Sequence, residues 1–208
     1  MTLTRFRAAA LAAHPGTPLI TDCTQGRVEL SHVTFDNWVT KTVNFLRMEA
    51  EVGEGSTIAL DLPLHWSAAV WTVAVWEAGC DLSFGEGDLH VGGPDADICV
   101  STDPWGMAPA PAGASSEWFF PADVRGMPDA LILPPSSPGS VLGYIAEGLV
   151  QAALGYAQEV GLAQGGRLQV LEPATDLRGV LALIATALVV DASVLYGPST
   201  EEVTAHAG

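Results

Sequence analysis

The residues of this 208-residue chain with the clearest claim to chemistry lie in one short loop, Pro134-Pro135-Ser136-Ser137-Pro138-Gly139-Ser140. Ser136, Ser137, Gly139 and Ser140 offer hydroxyls and backbone N–H groups just ahead of a long amphipathic stretch. The N-terminal end of a helix favours an anion through its unpaired amides and its dipole. Three prolines remove donors from the same loop, and no lysine or arginine stands near it in sequence. The pattern therefore suits a weakly held anion better than a triphosphate, and the plainer alternative is that Ser137 or Ser140 only caps the helix.

Other constellations are thinner. Asp81, Glu86, Asp88, Asp95 and Asp97 gather carboxylates around two expected strand ends, which suits a hard cation or, equally, a solvated rim. His14, His32, His65, His90 and His206 contain no HxH or HxxxH pair, so no zinc site is expected. Gly85-Glu86-Gly87 lacks the third glycine of a dinucleotide fingerprint, and there is no G-x-S-x-G elbow. Lys41, the single lysine, falls in a helix and is expected to face solvent. On these grounds no catalytic residue and no metal ligand is assigned.

The elements that must position these groups read as α/β. Met1 to Ala13 is a starting helix, and Thr17 to Asp22 with Arg27 to Leu30 forms a hairpin turning at Gly26. Thr34 is the expected N-cap of a helix running towards Gly53. Thr57 to Leu60 is a buried strand, Ser67 to Ala78 a helix stopped by Gly79, and Cys80 to Phe84 the next strand. Trp66, Trp71 and Trp76 stand five residues apart, which spreads them around their helix; core packing is the default, and exposure of at least one at the surface or an interface is the alternative. Between Gly85 and Pro138 only Asp97 to Val100, Glu117 to Phe120 and Ala130 to Leu133 resemble strands. A helix from Ser140 to Gly161, a strand from Arg167 to Leu171, a helix from Asp176 to Leu188 and a strand from Ala192 to Tyr196 complete the pattern. Strands separated by helices imply right-handed crossovers and a doubly wound, mainly parallel sheet with helices on both faces. The expected organisation is a single α/β domain over 1–208, with two lobes, about 1–135 and 136–208, as the finer alternative.

Composition narrows the partners. Twenty-four acidic residues face 8 basic ones, for a net charge of −16. This argues against nucleic acid and against an anionic membrane, both of which are held by clustered Lys and Arg. The three cysteines show no CxxC spacing, and a reducing cytoplasm is expected. The start of the chain, with Arg5 and Arg7 before a short alanine run, reads as a helix and not as a leader. The apolar run from Gly179 to Val190 is far short of the roughly 20 residues that cross a bilayer.

The segment Thr17 to Phe84 resembles the opening of the acyl-adenylating (AMP-binding, acyl-CoA synthetase-like) enzymes. Gly55-Ser56-Thr57-Ile58-Ala59-Leu60-Asp61-Leu62-Pro63 is similar to that family's G-D-x-V-A-(I/L)-x-L-P, and Glu77-Ala78-Gly79 to its (K/E)-A-G. Asp95 to Ser101 and Leu177 to Tyr196 look like later units of the same fold. Around Asn37-Trp38-Val39 and Lys41 the chain resembles a small actinobacterial family of distant AMP-binding relatives with no assigned activity. The resemblance implies part of the N-terminal domain of those enzymes. It also marks Tyr196-Gly197-Pro198-Ser199-Thr200-Glu201 as similar to Y-G-P-T-E, whose tyrosine and acid serve nucleotide and metal, which makes Tyr196 and Glu201 site candidates. The match carries one extra residue and follows the proline-rich loop too soon. That loop lacks the family's lysine, and 208 residues leave no room for the family's C-terminal domain. The expectation is a degenerate, non-catalytic relative, a pseudoenzyme that binds a small molecule or a partner protein and needs no cofactor. The alternatives are a minimal component binding ATP, AMP or an acyl-adenylate with magnesium, and a structural homo-oligomer.

Overall fold

The computed structural model describes residues 2–106, 108–134 and 137–207. Helix α1 (Leu3–Ala13) leads into the hairpin β1 (Pro18–Asp22) and β2 (Val28–Ser31), then α2 (His32–Met48). Strand β3 (Thr57–Leu60), helix α3 (Trp66–Glu77) and strands β4 (Asp81–Ser83), β5 (Leu89–Gly92), β6 (Ile98–Val100) and β7 (Trp118–Phe120) follow, closed by the short α4 (Ala122–Arg125). After α5 (Ala146–Val160) and β8 (Arg167–Val170) comes one helical rod, made of α6 (Leu177–Val180), a π segment (Leu181–Ala185) and α7 (Thr186–Val190). Strands β9 (Ser193–Tyr196) and β10 (Ala205–His206) end it.

The strands form two sheets of five. The first has the order β10-β8-β9-β1-β2 and is parallel except for the β1–β2 hairpin. The second, β4-β3-β5-β6-β7, is parallel throughout. The α/β architecture with mainly parallel strands is as the alternation of elements predicts, but it is split between two sheets. These do not divide at residue 135, because the N-terminal β1 pairs with β9 from the far end of the chain.

Helix α3 holds the two sheets together. Its sequence, WSAAVWTVAVWE, has no polar face, and every residue from Trp66 to Trp76 is buried. A helix apolar all round must be covered on all sides, and α3 packs on β1 of the first sheet and on β3 and β4 of the second. All three of Trp66, Trp71 and Trp76 are core residues, as the default reading has it, and the alternative of one at the surface is not met. Trp66 joins Trp38 and Phe120 in an aromatic cluster with ring centroids 5.5 to 6.0 Å apart, and Trp71 meets Phe120 edge-on.

Several local expectations also move. The cap of α2 is Ser31, whose Oγ accepts from Thr34 N, so the helix starts one turn earlier than a Thr34 cap would place it. Strand β5 and the short β10 are additional, and residues 130–133 form no strand. The loop from β4 back to the start of β5 crosses the face of β3 with no helix. A Cβ at Gly87 would stand 2.7 Å from Ala59 N, so only glycine lets the chain pass so close.

The buried ion cluster of Arg7 ties the helical layer. Its Nε and Nη2 donate to both oxygens of Glu77, at 3.0 and 2.6 Å, and Nη1 donates to Asp36, which joins α1, α3 and α2. Burial alone would favour the neutral guanidine, but Glu77 and Asp36 more than offset it and hold the charge. Removing one member strands the others. Arg7→Met is expected to lower stability in urea unfolding by about 3 to 5 kcal/mol, and replacing all three residues with apolar side chains to recover much of that loss.

Candidate functional site

Ser136 lies outside the described residues. Ser137 is exposed, whereas Gly139 and Ser140 are built into the edge of the second sheet beside β4. Gly139 N donates to Trp76 O (3.0 Å) and Ser140 N to the carboxylate of Asp81 (2.8 Å). A Cβ at Gly139 would sit 1.8 Å from the Cys80 carbonyl oxygen, so its glycine serves backbone packing. The following helix begins at Ala146 behind Ile145, and no side chain caps it. Ser137 and Ser140 are therefore not at its N-terminus, in contrast to the expected start at Ser140.

The structure does not bring these residues together with Tyr196 and Glu201, which belong to the first sheet. Tyr196 is fully buried at the end of β9, and its hydroxyl donates to Leu183 O in the π segment (2.7 Å). Burial and the nearby Asp22 carboxylate push its pKa well up. Glu201 accepts from Arg27 Nε (2.9 Å) and Arg167 Nη1 (2.7 Å), pinning the β1–β2 turn to β8. Lys41 is half-buried rather than solvent-facing. Its ammonium donates to the carbonyls of Arg125 (3.1 Å) and Met127 and pairs with Asp129 (3.0 Å). Three members of the acidic cluster are equally committed: Asp81, Asp88 and Asp97 each accept from a backbone N–H at 2.8 Å. Among the described residues no three His, Cys, Asp or Glu side chains are placed to hold a metal.

A crevice does form where the topology predicts one. From β3 the chain winds through α3 to β4 on one side, then places β5 on the other. The gap beyond the carboxyl ends of β3 and β5 is thus the switch point of the second sheet, where open α/β folds bind ligands. Two adjoining cavities of about 340 and 510 Å³ lie there and share Asp61, Gly92, Gly93 and Pro94. Asp61, Asp95 and Asp103 line them, with His90 on one side and Ser101 and Cys99 on the other, and no lysine or arginine does. Asp103 accepts from Ser101 Oγ (2.6 Å) and Ala108 N (2.7 Å), which fixes its carboxylate.

The nearby start of α3 supplies groups that sequence reasoning missed. Asp22, at the end of β1, accepts from Trp66 N (2.8 Å), Thr24 N (2.9 Å) and Thr24 Oγ1 (2.6 Å). It is a carboxylate seated on the positive end of the helix. His65 caps the same helix: its Nδ1 accepts from Ser67 N (3.3 Å) and lies 2.8 Å from Ser67 Oγ. Accepting at Nδ1 requires the neutral imidazole. Burial accordingly lowers its pKa, against the opposing pull of Asp22 and Asp103. The available signal is Pro63-Leu64 followed by His65-Trp66-Ser67, the place where a helix opening needs a cap.

The class of fold is settled by comparison. The chain has the fold of the N-terminal domain of acyl-adenylating enzymes. It superposes on the nonribosomal peptide synthetase FmoA3 (TM-score 0.67, 14% identity, 97% of this chain and 23% of that one). It does so equally on the N-terminal domain of FACL13 from Mycobacterium tuberculosis (0.63, 10%, 97% and 58%) and on coronafacic acid ligase from Pectobacterium brasiliense (0.69, 9%, 96% and 46%). In sequence it is similar to a TIGR03089 family protein of Mycobacterium tuberculosis (strain ATCC 25618 / H37Rv), 38% identical over 96 residues, which are 45% of this chain and 40% of that protein. The chain thus spans well under two thirds of the length of these relatives. No family model matches it. Among the described residues no helix is long and apolar enough to cross a membrane.

Two outcomes test this description. Because His65 has a lower pKa folded than unfolded, the unfolded chain binds the extra proton. Its contribution is present above about pH 6.5 and is lost as pH falls towards the folded value. Chemical denaturation in this window is expected to show a smaller pH slope in His65→Gln than in the parent. Tyr196→Phe, which removes the buried hydrogen bond to the Leu183 carbonyl, is expected to cost about 1 to 2 kcal/mol of stability.

Proposed function

We propose that this chain binds a small neutral or cationic molecule in the crevice at the carboxyl ends of β3 and β5, without adenylating it. The observation that carries this reading is the lining. The switch-point cavities present three carboxylates, Asp61, Asp95 and Asp103, and no basic side chain. A nucleoside triphosphate needs cations and free amide donors to offset its charge. Here Gly139 N and Ser140 N already serve Trp76 and Asp81, and Lys41 is committed to carbonyls and Asp129. Like-charge repulsion in a crevice walled by protein works against an anion and for a cation or a neutral hydrogen-bonding ligand. Their combined size lies within the range of small-molecule sites, about 300 to 1,000 Å³.

Two measurements test it. ATP and AMP, with and without magnesium, are expected to leave the melting temperature unchanged, whereas a ligand at about 100 times its Kd would add roughly 2.7 kcal/mol. Magnesium-dependent stabilisation by ATP, or pyrophosphate exchange with a carboxylic acid, would overturn the reading in favour of an adenylate-binding component. In a ligand-observed NMR screen of neutral and cationic fragments, hits are expected to be lost in Gly93→Val. A Cβ at Gly93 meets no atom within 4 Å, so the added side chain fills the crevice and leaves the backbone in place.

A further inference from the structure

At the opposite end of the first sheet, where its strands begin, lies a separate cavity of about 670 Å³. His14 follows α1, His32 opens α2, Arg167 opens β8, and Asp191 stands between α7 and β9, so four elements deliver side chains to one bowl. His32 is 6% exposed and borders the cavity. Among the described residues its ring makes no hydrogen bond, although buried polar groups are ordinarily paired. Burial lowers its pKa, helped by His14 and opposed by Asp191. The neutral ring therefore offers one donor and one acceptor to whatever enters.

Asp191 is the complementary group. Its backbone adopts the left-handed conformation (φ 56°, ψ 54°) at the end of α7. Its Oδ2 takes Gln164 Nε2 (3.1 Å) and lies 3.5 Å from His14 Nε2, while Oδ1 has no partner among the described residues. The one basic side chain in the bowl, Arg167, is spent on Glu201 (2.7 Å), and the exposed Glu202 adds a second carboxylate at the rim. The bowl thus combines net negative charge, an open carboxylate oxygen and an unpaired imidazole acceptor. A metal site is not assigned, since among the described residues no three candidate ligands converge. A positively charged donor with several N–H bonds does meet these groups.

We propose that this cavity is a binding site for an organic primary amine, with its ammonium held between the Asp191 carboxylate and the His32 imidazole. The site is independent of the crevice at the carboxyl ends of the second sheet, and either can fail without the other.

The test uses the full chain at pH 8. It follows the histidine ring resonances during titration with 1,4-diaminobutane, and with 1,4-butanediol and succinate as neutral and anionic matches. A saturable shift of the His14 and His32 resonances is expected with the diamine alone. Asp191→Asn keeps the left-handed backbone that asparagine tolerates and removes the charge, so it is expected to weaken the diamine at least about tenfold. His32→Gln, checked by circular dichroism for an intact fold, is expected to weaken it also. Gly93→Val is expected to change nothing. No saturable shift, equal binding of the diol, or undiminished binding by Asp191→Asn would overturn the proposal.

Discussion

A single helix with no water-facing side organises this molecule. α3 can exist only if both sheets close over it, and its two ends are fixed by charge as well as by packing. At its start the Asp22 carboxylate, carried in by β1, accepts from Trp66 N. At its end Glu77 is gripped by Arg7 from α1. The N-terminal hairpin and helix are thus clamped to opposite ends of one rod. The arrangement tolerates a cost: the indole N–H groups of Trp71 and Trp76 are buried without acceptors. Each such orphan loses about 1 to 3 kcal/mol, which the surrounding apolar packing must offset.

The same rod sets where ligands can go. Because α3 returns the chain to β4 while β5 falls on the other flank of β3, the carboxyl ends part between β3 and β5. Asp61, Gly92 and Gly93 are left at the opening. The crossing at Gly87 is what lets β5 reach that flank without a helix. The position of the crevice follows from topology, but its sign does not. The acidic lining is a property of Asp61, Asp95 and Asp103, and it separates the inherited geometry from the chemistry that geometry can host.

Much of the architecture was legible because periodicity is a local signal. The α3 segment, the Thr57–Leu60 strand and the late helix–strand units all stand close to where spacing puts them. The failures have physical causes. Burial on all sides cannot be read from one helix, so the five-residue spacing of Trp66, Trp71 and Trp76 leaves surface exposure open as an alternative, which the second sheet closes. Ser140 sits before a helical pattern, yet its amide is drawn to Asp81, a partner distant in sequence, and α5 begins later. Strand β5 is only four residues long, and its two glycine neighbours disguise it as loop. His65 and Asp22 act through contacts across elements, which no window of sequence contains.

The residues with the most chemical appearance are where sequence and structure part most instructively. Tyr196 and Glu201 look like a nucleotide motif, but the Tyr196 hydroxyl donates to the Leu183 carbonyl in the π segment. Glu201 neutralises Arg27 and Arg167 at the seam between hairpin and β8. Each group has its hydrogen-bonding capacity engaged within the protein, and a side chain so engaged must break those bonds before it can serve a ligand. On the proposed reading, the groups that serve a ligand are instead Asp61 and Asp95 of the switch-point crevice and the His32–Asp191 pair at the far end. That reading rests on which polar groups the fold leaves facing a cavity and not on which motifs the sequence resembles.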